Sequence, residues 1–412
     1  MVTVFGLGFV GLTTALSFAH LGIKVYGLDV DEHRKDQLRA GELPFVEPEM
    51  DAILCEEQGR NFFVTDNIEK AVADSDYIFY CVGTPYGKDG AADLKYLFSA
   101  IDSTIAAIHD DKHRVLVTKS TIPPTTTREK IIPYVKGKGE VARQISIANN
   151  PEFLREGHCW EDVTKADRIV LGCSDDVSKD MLMKLYAPMN IPMFCVSITT
   201  GEFIKYLSNT LLATLISYAN EMAHVADAFG DIDVAKAFHI LHMDGRWNHA
   251  DMANYFYPGC GYGGYCLPKD TNALYAQAKQ KGFAPPILGE VIKTNDERPF
   301  IMAKKIIDAV GNGNVIGILG LSFKPESDDV RDTPAAKIIR EIKKIGDYEI
   351  IAYDPIAEEE FKRRYPELPV GMKKTAHEVI TDSDAVAVVT AWQEFKTMDY
   401  GGKTVVDCRY ML

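Results

Sequence analysis

The chain opens with an apolar run, Val2–Phe5, then Gly6-Leu7-Gly8-Phe9-Val10-Gly11, then apolar residues at helical spacing from Leu12 to Leu21. A second short run, Lys24–Leu28, ends at Asp29. Short continuous apolar runs bounded by turn residues predict buried strands, and recurrence every three or four residues predicts a helix. The order strand, glycine turn, helix, strand, acid is that of a Rossmann unit. Further runs at Tyr77–Val82, Arg114–Thr118 and Ile145–Ala148 end at Gly83-Thr84-Pro85, Lys119-Ser120-Thr121 and Asn149-Asn150-Pro151. Ligands of open parallel sheets sit beyond the strands' C-terminal ends, so Thr84, Thr121 and the Asn150 turn point at one crevice. Each serves equally well as a helix cap.

Near residue 200 the period changes. Phe203, Ile204, Leu207, Leu211, Leu212, Leu215 and Ile216 recur at helical spacing, predicting one helix from Thr200 to about Phe229. Lys205 and Asn209 lie four apart on its flank, either facing one pocket or forming part of a solvated stripe. More helix follows to about His242, then the turn Asp244-Gly245-Arg246 and the loop Tyr255-Phe256-Tyr257-Pro258-Gly259, whose aromatics either stack on a ligand or belong to the core. A helix after Gly289 reaches about Val310, and strands are expected at Val315–Leu319, Tyr348–Tyr353, Ala385–Thr390 and Thr404–Asp407. The turn Gly320-Leu321-Ser322-Phe323-Lys324-Pro325 lacks the dinucleotide glycine spacing, and Lys324 and the Asp328-Asp329-Val330-Arg331 turn are candidates for anion contacts. The expected architecture is α/β: two Rossmann-like doubly wound domains joined by a long central helix. Its divisions are 1–199 for NAD binding, 200–300 for a helical dimerisation and catalytic-loop region, and 301–412 for the second Rossmann-like domain.

Composition narrows the classes. A chain of 412 residues with 46% hydrophobic and 25% charged content has the profile of a soluble globular protein. A formal charge of −14 argues against a nucleic-acid partner. No apolar run approaches the ~20 residues of a membrane span, so no membrane is expected. The opening strand leaves no room for a signal peptide. Eight cysteines without framework spacing suggest reduced thiols in the cytoplasm. Cys260 and Cys266 have no histidine or CxxC partner, so no metal is expected.

Gly6 permits the tight turn, Gly8 lets the backbone approach a pyrophosphate, and Gly11 allows close helix packing. Asp29 would accept from a ribose 2′-hydroxyl and repel a 2′-phosphate, favouring NAD over NADP. The stretch Asn150-Pro151-Glu152-Phe153-Leu154-Arg155-Glu156-Gly157 reads as one helical turn, capped by Asn150 and ended by Gly157, with Glu152 and Glu156 on one face for acid–base work. In Gly261–Asp270, GYGGYCLPKD, a glycine-rich loop holds Cys266 ahead of Lys269 and Asp270. That makes Cys266 a candidate covalent nucleophile, against the common use of cysteine as a small buried hydrophobe.

Together the segments GLGFVGL (Gly6–Leu12), STIPPTTT (Ser120–Thr127), NPEFLREG, the Glu202–Glu221 helix, GYGGYCLPKD and GLSFKPESDDVRDTP (Gly320–Pro334) resemble the UDP-glucose/GDP-mannose dehydrogenase family nearly end to end. Thr125 departs from the glycine that the family usually carries after the two prolines. The resemblance implies NAD-dependent oxidation of a sugar C6 alcohol to a carboxylate, with UDP-glucose as substrate. UDP-N-acetylhexosamine and GDP-mannose are the alternatives; members acting on other sugars tend to have histidine where this chain has Tyr265. It implies Cys266 as nucleophile, Lys205 with Asn209 at the oxyanion, Asp270 and Thr121 positioning water, and Glu152 assisting proton transfer. NAD would meet Gly6, Gly8, Phe9, Val10, Gly11, Asp29, Arg34, Thr84 and Thr121, with Glu156, Lys269 and Arg331. The sugar nucleotide would meet Glu152, Phe153, Leu154, Arg155, Glu156, Lys205, Asn209, Tyr255, Phe256, Tyr257, Pro258, Gly259, Gly263 and Lys324. The last domain would bind the UDP-sugar. Arg246 would reach a neighbouring subunit's site, implying a homodimer or higher oligomer. A one-step hydroxyacid dehydrogenase needs no thiol, and an NAD-binding redox sensor would use Cys266 as a switch without the acid–base set.

Overall fold

The computed structural model describes residues 1–87, 90–244 and 256–412, so Arg246 and Tyr255 lie outside the described residues. The chain divides into two compact units, Met1–Leu207 and Ser208–Leu412. The division falls inside one continuous helix, Ile198–Phe229, which starts two residues before the expected Thr200.

The first unit is built on eight strands: β1 Val2–Phe5, β2 Val25–Leu28, β3 Phe62–Val64, β4 Tyr77–Tyr80, β5 Arg114–Thr118, β6 Ile145–Asn149, β7 Ile169–Cys173 and β8 Met193–Ser197. Their order is β3-β2-β1-β4-β5-β6-β7-β8, parallel through β6, with β7 antiparallel to β6 and parallel to β8. Alternate residues feed cores on opposite faces. Tyr77, Phe79, Val115 and Val117 pack with Leu12, Leu16 and Phe18, while Ile78, Tyr80 and Leu116 pack with Leu97 and Ile101. Strand order reverses beside β1, which places the ligand crevice at the C-terminal ends of β1 and β4.

In the second unit, β9 Val315–Leu319, β10 Glu349–Tyr353, β11 Val370–Met372, β12 Ala385–Val388 and β13 Thr404–Asp407 form an all-parallel sheet in the order β11-β10-β9-β12-β13. This repeats the β3-β2-β1-β4-β5 arrangement down to its hydrogen bonds. Gly6 N–H donates to Leu28 O at 2.8 Å and Gly320 N–H to Tyr353 O at 2.9 Å. Leu7 N–H donates to Asp29 at 2.6 Å, and Leu321 N–H to Asp354 at 2.7 Å. In the repeat the acid is more fully engaged. Asp354 also accepts from Ser322, Ile356, Ala357 and Trp392, and a Cβ on Gly320 would run into Thr390.

Two local expectations need correction. Residues Asn150–Arg155 form no helical turn; the chain there is irregular until a helix starts at Cys159. Asn150 cannot cap, because its buried amide is engaged by Lys119, Tyr186 and Val170. Glu152 and Glu156 therefore do not share a helix face. Nor does Cys266 sit within a loop: it is the first residue of the helix Cys266–Gln280, with Pro268 tolerated in the first turn.

Candidate active site

The glycine turn of the first unit is shaped for a pyrophosphate. Gly6 has φ +86°, and a Cβ there would come within 2.9 Å of Cys81 O. One on Gly11 would overlap the Gly6 carbonyl, whereas one on Gly8 would meet nothing within 4 Å. The helix Phe9–His20 starts at Gly8 with no side-chain cap, leaving its first N–H groups for an anion. Asp29 accepts from Leu7 N–H, from Asp31 N–H at 2.9 Å and from Arg34 Nη1 at 3.0 Å. A carboxylate has about four acceptor positions, so one remains for a ribose hydroxyl. These features fit an NAD cofactor.

At the ends of β4, β5 and β6 the expected residues meet one another. Thr84 Oγ1 donates to Thr121 O at 2.8 Å, tying two strand-end loops together instead of capping a helix. Lys205, on the long helix, forms a buried ion pair with Glu152 at 2.8 Å, and its Nζ lies 5.6 Å from the Phe153 ring centroid. Burial alone would push the Glu152 carboxyl up. The Lys205 ammonium, the Leu154 N–H and the charge of Lys119 outweigh it and hold Glu152 below the ordinary carboxylate range. A small pocket between Thr121, Asn149, Glu202 and Lys205 has room for roughly one water molecule. The N–H groups of Leu154 and Arg155 are taken by Glu152 and Asp162, at 2.8 and 2.6 Å.

In the second unit, Cys266 is exposed at a helix N-terminus, with Lys269 and Asp270 three and four residues on, both buried. Lys269 forms a short ion pair with Asp270, and Asn209 Nδ2 donates to Asp270 at 2.6 Å. Burial disfavours the Lys269 ammonium, but Asp270 and Cys266 outweigh it and raise its pKa. A helix N-terminus and a nearby ammonium both favour a thiolate. Tyr265 stacks under the Arg331 guanidinium at 4.7 Å, and that guanidinium forks onto Asp329 at 2.6–3.0 Å, so the candidate anion turn is internally paired. Lys324 lies over Phe323 at 5.6 Å.

The glycines before Cys266 serve packing. A Cβ on Gly261 would meet Asn295, one on Gly263 Asp332 O, and one on Gly264 the Phe323 ring. Phe256 is core, packed against Phe238, Ala219 and Ala223, and Tyr257 donates to Tyr410 O at 2.8 Å.

Several residues with site roles carried no local signal. On the helix Pro286–Val310, Asn295 holds Tyr262 through both its N–H (2.7 Å) and its carbonyl (3.1 Å). Buried Arg298 donates to Gly259 O at 2.7 Å, while Asn220 accepts from Gly259 N–H at 2.6 Å. These three fix the approach to the cysteine. In the first unit, Asn149 joins β6 to the start of the long helix through Ile198 O, and Gly172 and Gly201 leave the room it fills. The glycine at 201 was the one legible hint.

The sequence matches the NAD binding domain of the UDP-glucose/GDP-mannose dehydrogenase family over residues 1–190, its central domain over 199–297 and its UDP binding domain over 317–412. It is 37% identical to the UDP-glucose 6-dehydrogenase YwqF of Bacillus subtilis, over 96% of this chain and 88% of that protein. A UDP-glucose dehydrogenase structure from Pyrobaculum islandicum superposes with a TM-score of 0.91 at 33% identity, covering 100% of this chain and 94% of the other. A UDP-D-ManNAc dehydrogenase from Pyrococcus horikoshii gives 0.87 at 27% identity, with 100% and 96% covered.

Proposed function

We propose, from the premise that this chain belongs to the UDP-glucose/GDP-mannose dehydrogenase family, that it oxidises the C6 alcohol of UDP-glucose to the carboxylate of UDP-glucuronate. The observation that carries this reading is Cys266 at a helix N-terminus beside buried Lys269, Asp270 and Asn209. When bound, NAD⁺ accepts the electrons, two molecules being reduced per sugar as water supplies the second carboxylate oxygen. Gly6, Gly8, Phe9, Val10 and Gly11 would hold its pyrophosphate, Asp29 and Arg34 its adenosine, and Thr84 and Thr121 line the strand ends toward it.

A four-electron oxidation passes through an aldehyde that must not escape. The Cys266 thiolate adds to that carbonyl as a thiohemiacetal, and the thioester formed at the next oxidation level is hydrolysed, returning the thiol. Asp270, fixed by Lys269 and Asn209, and Thr121 orient the attacking water. Lys205 stabilises the oxyanion and Glu152, already hydrogen-bonded to it, moves the proton. Lys324 and the Tyr257–Gly259 backbone are proposed for the sugar nucleotide.

The location we propose is the cytoplasm; among the described residues no helix is long and apolar enough to cross a membrane. A homodimer is supported by the long helix. Phe203, Leu207, Leu211 and Tyr218 are 44%, 52%, 45% and 50% exposed. At 100° per residue they fall within an arc of roughly 80°, one apolar stripe that a second copy would cover. A panel of UDP-glucose, UDP-N-acetylmannosamine and GDP-mannose tests the substrate: kcat/KM should be highest for UDP-glucose, and a higher value for another sugar nucleotide refutes that choice.

A further inference from the structure

We propose that His20, Glu56 and Glu57 hold a divalent transition-metal cation of the zinc class, in a site that the oxidation does not use. His20 is the last residue of the helix Phe9–His20, and Glu56 and Glu57 are the last two of the helix Met50–Glu57. The two helices lie side by side and run the same way. Thr13 Oγ1 is 3.4 Å from Met50 Sδ near one end, and His20 Nδ1 is 3.9 Å from Glu57 Oε1 at the other. Met50 and Leu54 share a buried core with Leu12 and Leu16, so apolar packing sets this register. One ligand atom from each of His20, Glu56 and Glu57 lies within 4.8 Å of the other two. The glycine turn stands at the opposite end of Phe9–His20, about 18 Å away along the helix.

A cation is favoured there on electrostatic grounds. A helix C-terminus carries partial negative charge, and here two such ends converge with two carboxylates. The helix Met50–Glu57 has no basic residue in its last turn. Glu57 is the strongest pointer. Its side chain is 3% exposed, and its Oε2 accepts from a neutral donor, Asn61 Nδ2, at 2.8 Å. Among the described residues its Oε1 has no hydrogen bond. A buried carboxylate is stable only when a charge or donors answer it. Oε1 instead faces His20 across 3.9 Å, too far for a hydrogen bond. Zinc binds imidazole nitrogen and carboxylate oxygen at about 2.0–2.2 Å, which sets neighbouring ligand atoms about 3.4 Å apart in a tetrahedron. His20 and Glu56, 45% and 51% exposed, have room to close to that spacing around the fixed Glu57. Glu56 gives up only an exposed ion pair with Arg60, of small worth. Buried Trp160 meets the His20 ring edge-on at 5.5 Å and steadies the imidazole. One nitrogen and two oxygen ligands suit a zinc-class ion better than calcium, which takes an all-oxygen shell. The three residues come from separate helices, so spacing along the chain gave no sign of them.

The test is a titration of the chelator-treated full chain with Ni²⁺, which takes imidazole and carboxylate ligands, followed by tryptophan fluorescence. A paramagnetic ion on His20 lies beside Trp160 and quenches it. Wild type should show saturable quenching that excess Zn²⁺, which is diamagnetic, reverses. His20→Ala and Glu57→Gln should each weaken the binding by about tenfold or more. Cys266→Ala should titrate as wild type, since its thiol belongs to the other unit. Should Glu57→Gln not fold, the exposed Glu56→Gln takes its place beside His20→Ala, with the same weakening expected. Absence of saturable quenching in wild type, quenching that Zn²⁺ does not reverse, or a titration unchanged by His20→Ala overturns the proposal. Loss of the quenching in Cys266→Ala overturns it too, by placing the metal on that thiol. NADH formation takes no part in the readout, so the outcome is independent of the proposed oxidation.

Discussion

Thr125 has φ 76°, in the left-handed region that a β-branched residue occupies at a cost of about 1–3 kcal/mol. The loop keeps the conformation a glycine would take because Glu202 clamps it, accepting from the N–H groups of Thr125 and Thr127 at 2.7 Å each. Thr125→Gly should therefore raise stability by about 1 kcal/mol, some 2–4 °C in a thermal melt, after the glycine's unfolded-state entropy is counted. A lower melting temperature would place no strain at this site. Glu202 has its own signature: burial outweighs its two N–H bonds and raises its pKa to about 7 from an ordinary 4.5. The native state then binds the extra proton. The stability this gives is complete below pH 4.5 and is lost as pH climbs through 7. The loss amounts to about 3 kcal/mol. Glu202→Gln should flatten the fall in melting temperature between pH 5.5 and 8; an unchanged slope would assign it to other groups.

At the scale of elements, most strands and helices were legible. β5, β9 and β13 match the apolar runs residue for residue, and the glycine turn was recognisable because each glycine answers a backbone constraint that only glycine meets. The NPEFLREG segment misled for a physical reason. Its Asn-Pro start and Gly end satisfy helix capping rules, but its N–H groups go to distant carboxylates: Arg155 to Asp162, and Gly157 and Cys159 to Glu47. Glu47 lies 110 residues from Gly157 along the chain, and no window-sized pattern reports such a bond. Cys266 was identified with its partners but placed in a loop, because the glycines masked the first turn that Pro268 permits. Asn295 and Arg298 were invisible for the reason Glu47 was: a polar residue inside an amphipathic helix shows nothing of the backbone it holds. Asn295→Ala leaves Tyr262 N–H buried and unpaired, which should cost about 2–3 kcal/mol. We expect kcat to fall with little change in NAD⁺ binding. Full activity and stability would remove Asn295 from the support of the cysteine helix.

At the scale of the molecule, the second sheet repeats the first in strand order and in the acid that receives the glycine-turn N–H, yet that acid also accepts from Trp392. Among the described residues, the glycine spacing that suits NAD stands on the first sheet. The apolar stripe on the long helix predicts self-association. Leu207→Glu with Leu211→Glu should shift the sedimentation profile from dimer or higher to monomer at micromolar concentration, and an unchanged profile would move the interface elsewhere.

The central claim is a cysteine-tethered, four-electron oxidation, and the count of NADH formed per UDP-glucose consumed tests it most directly. Two NADH per sugar, with uronic acid formation abolished and NAD⁺ binding intact in Cys266→Ala, is the predicted result; one NADH per sugar, or an undiminished Cys266→Ala enzyme, would contradict it.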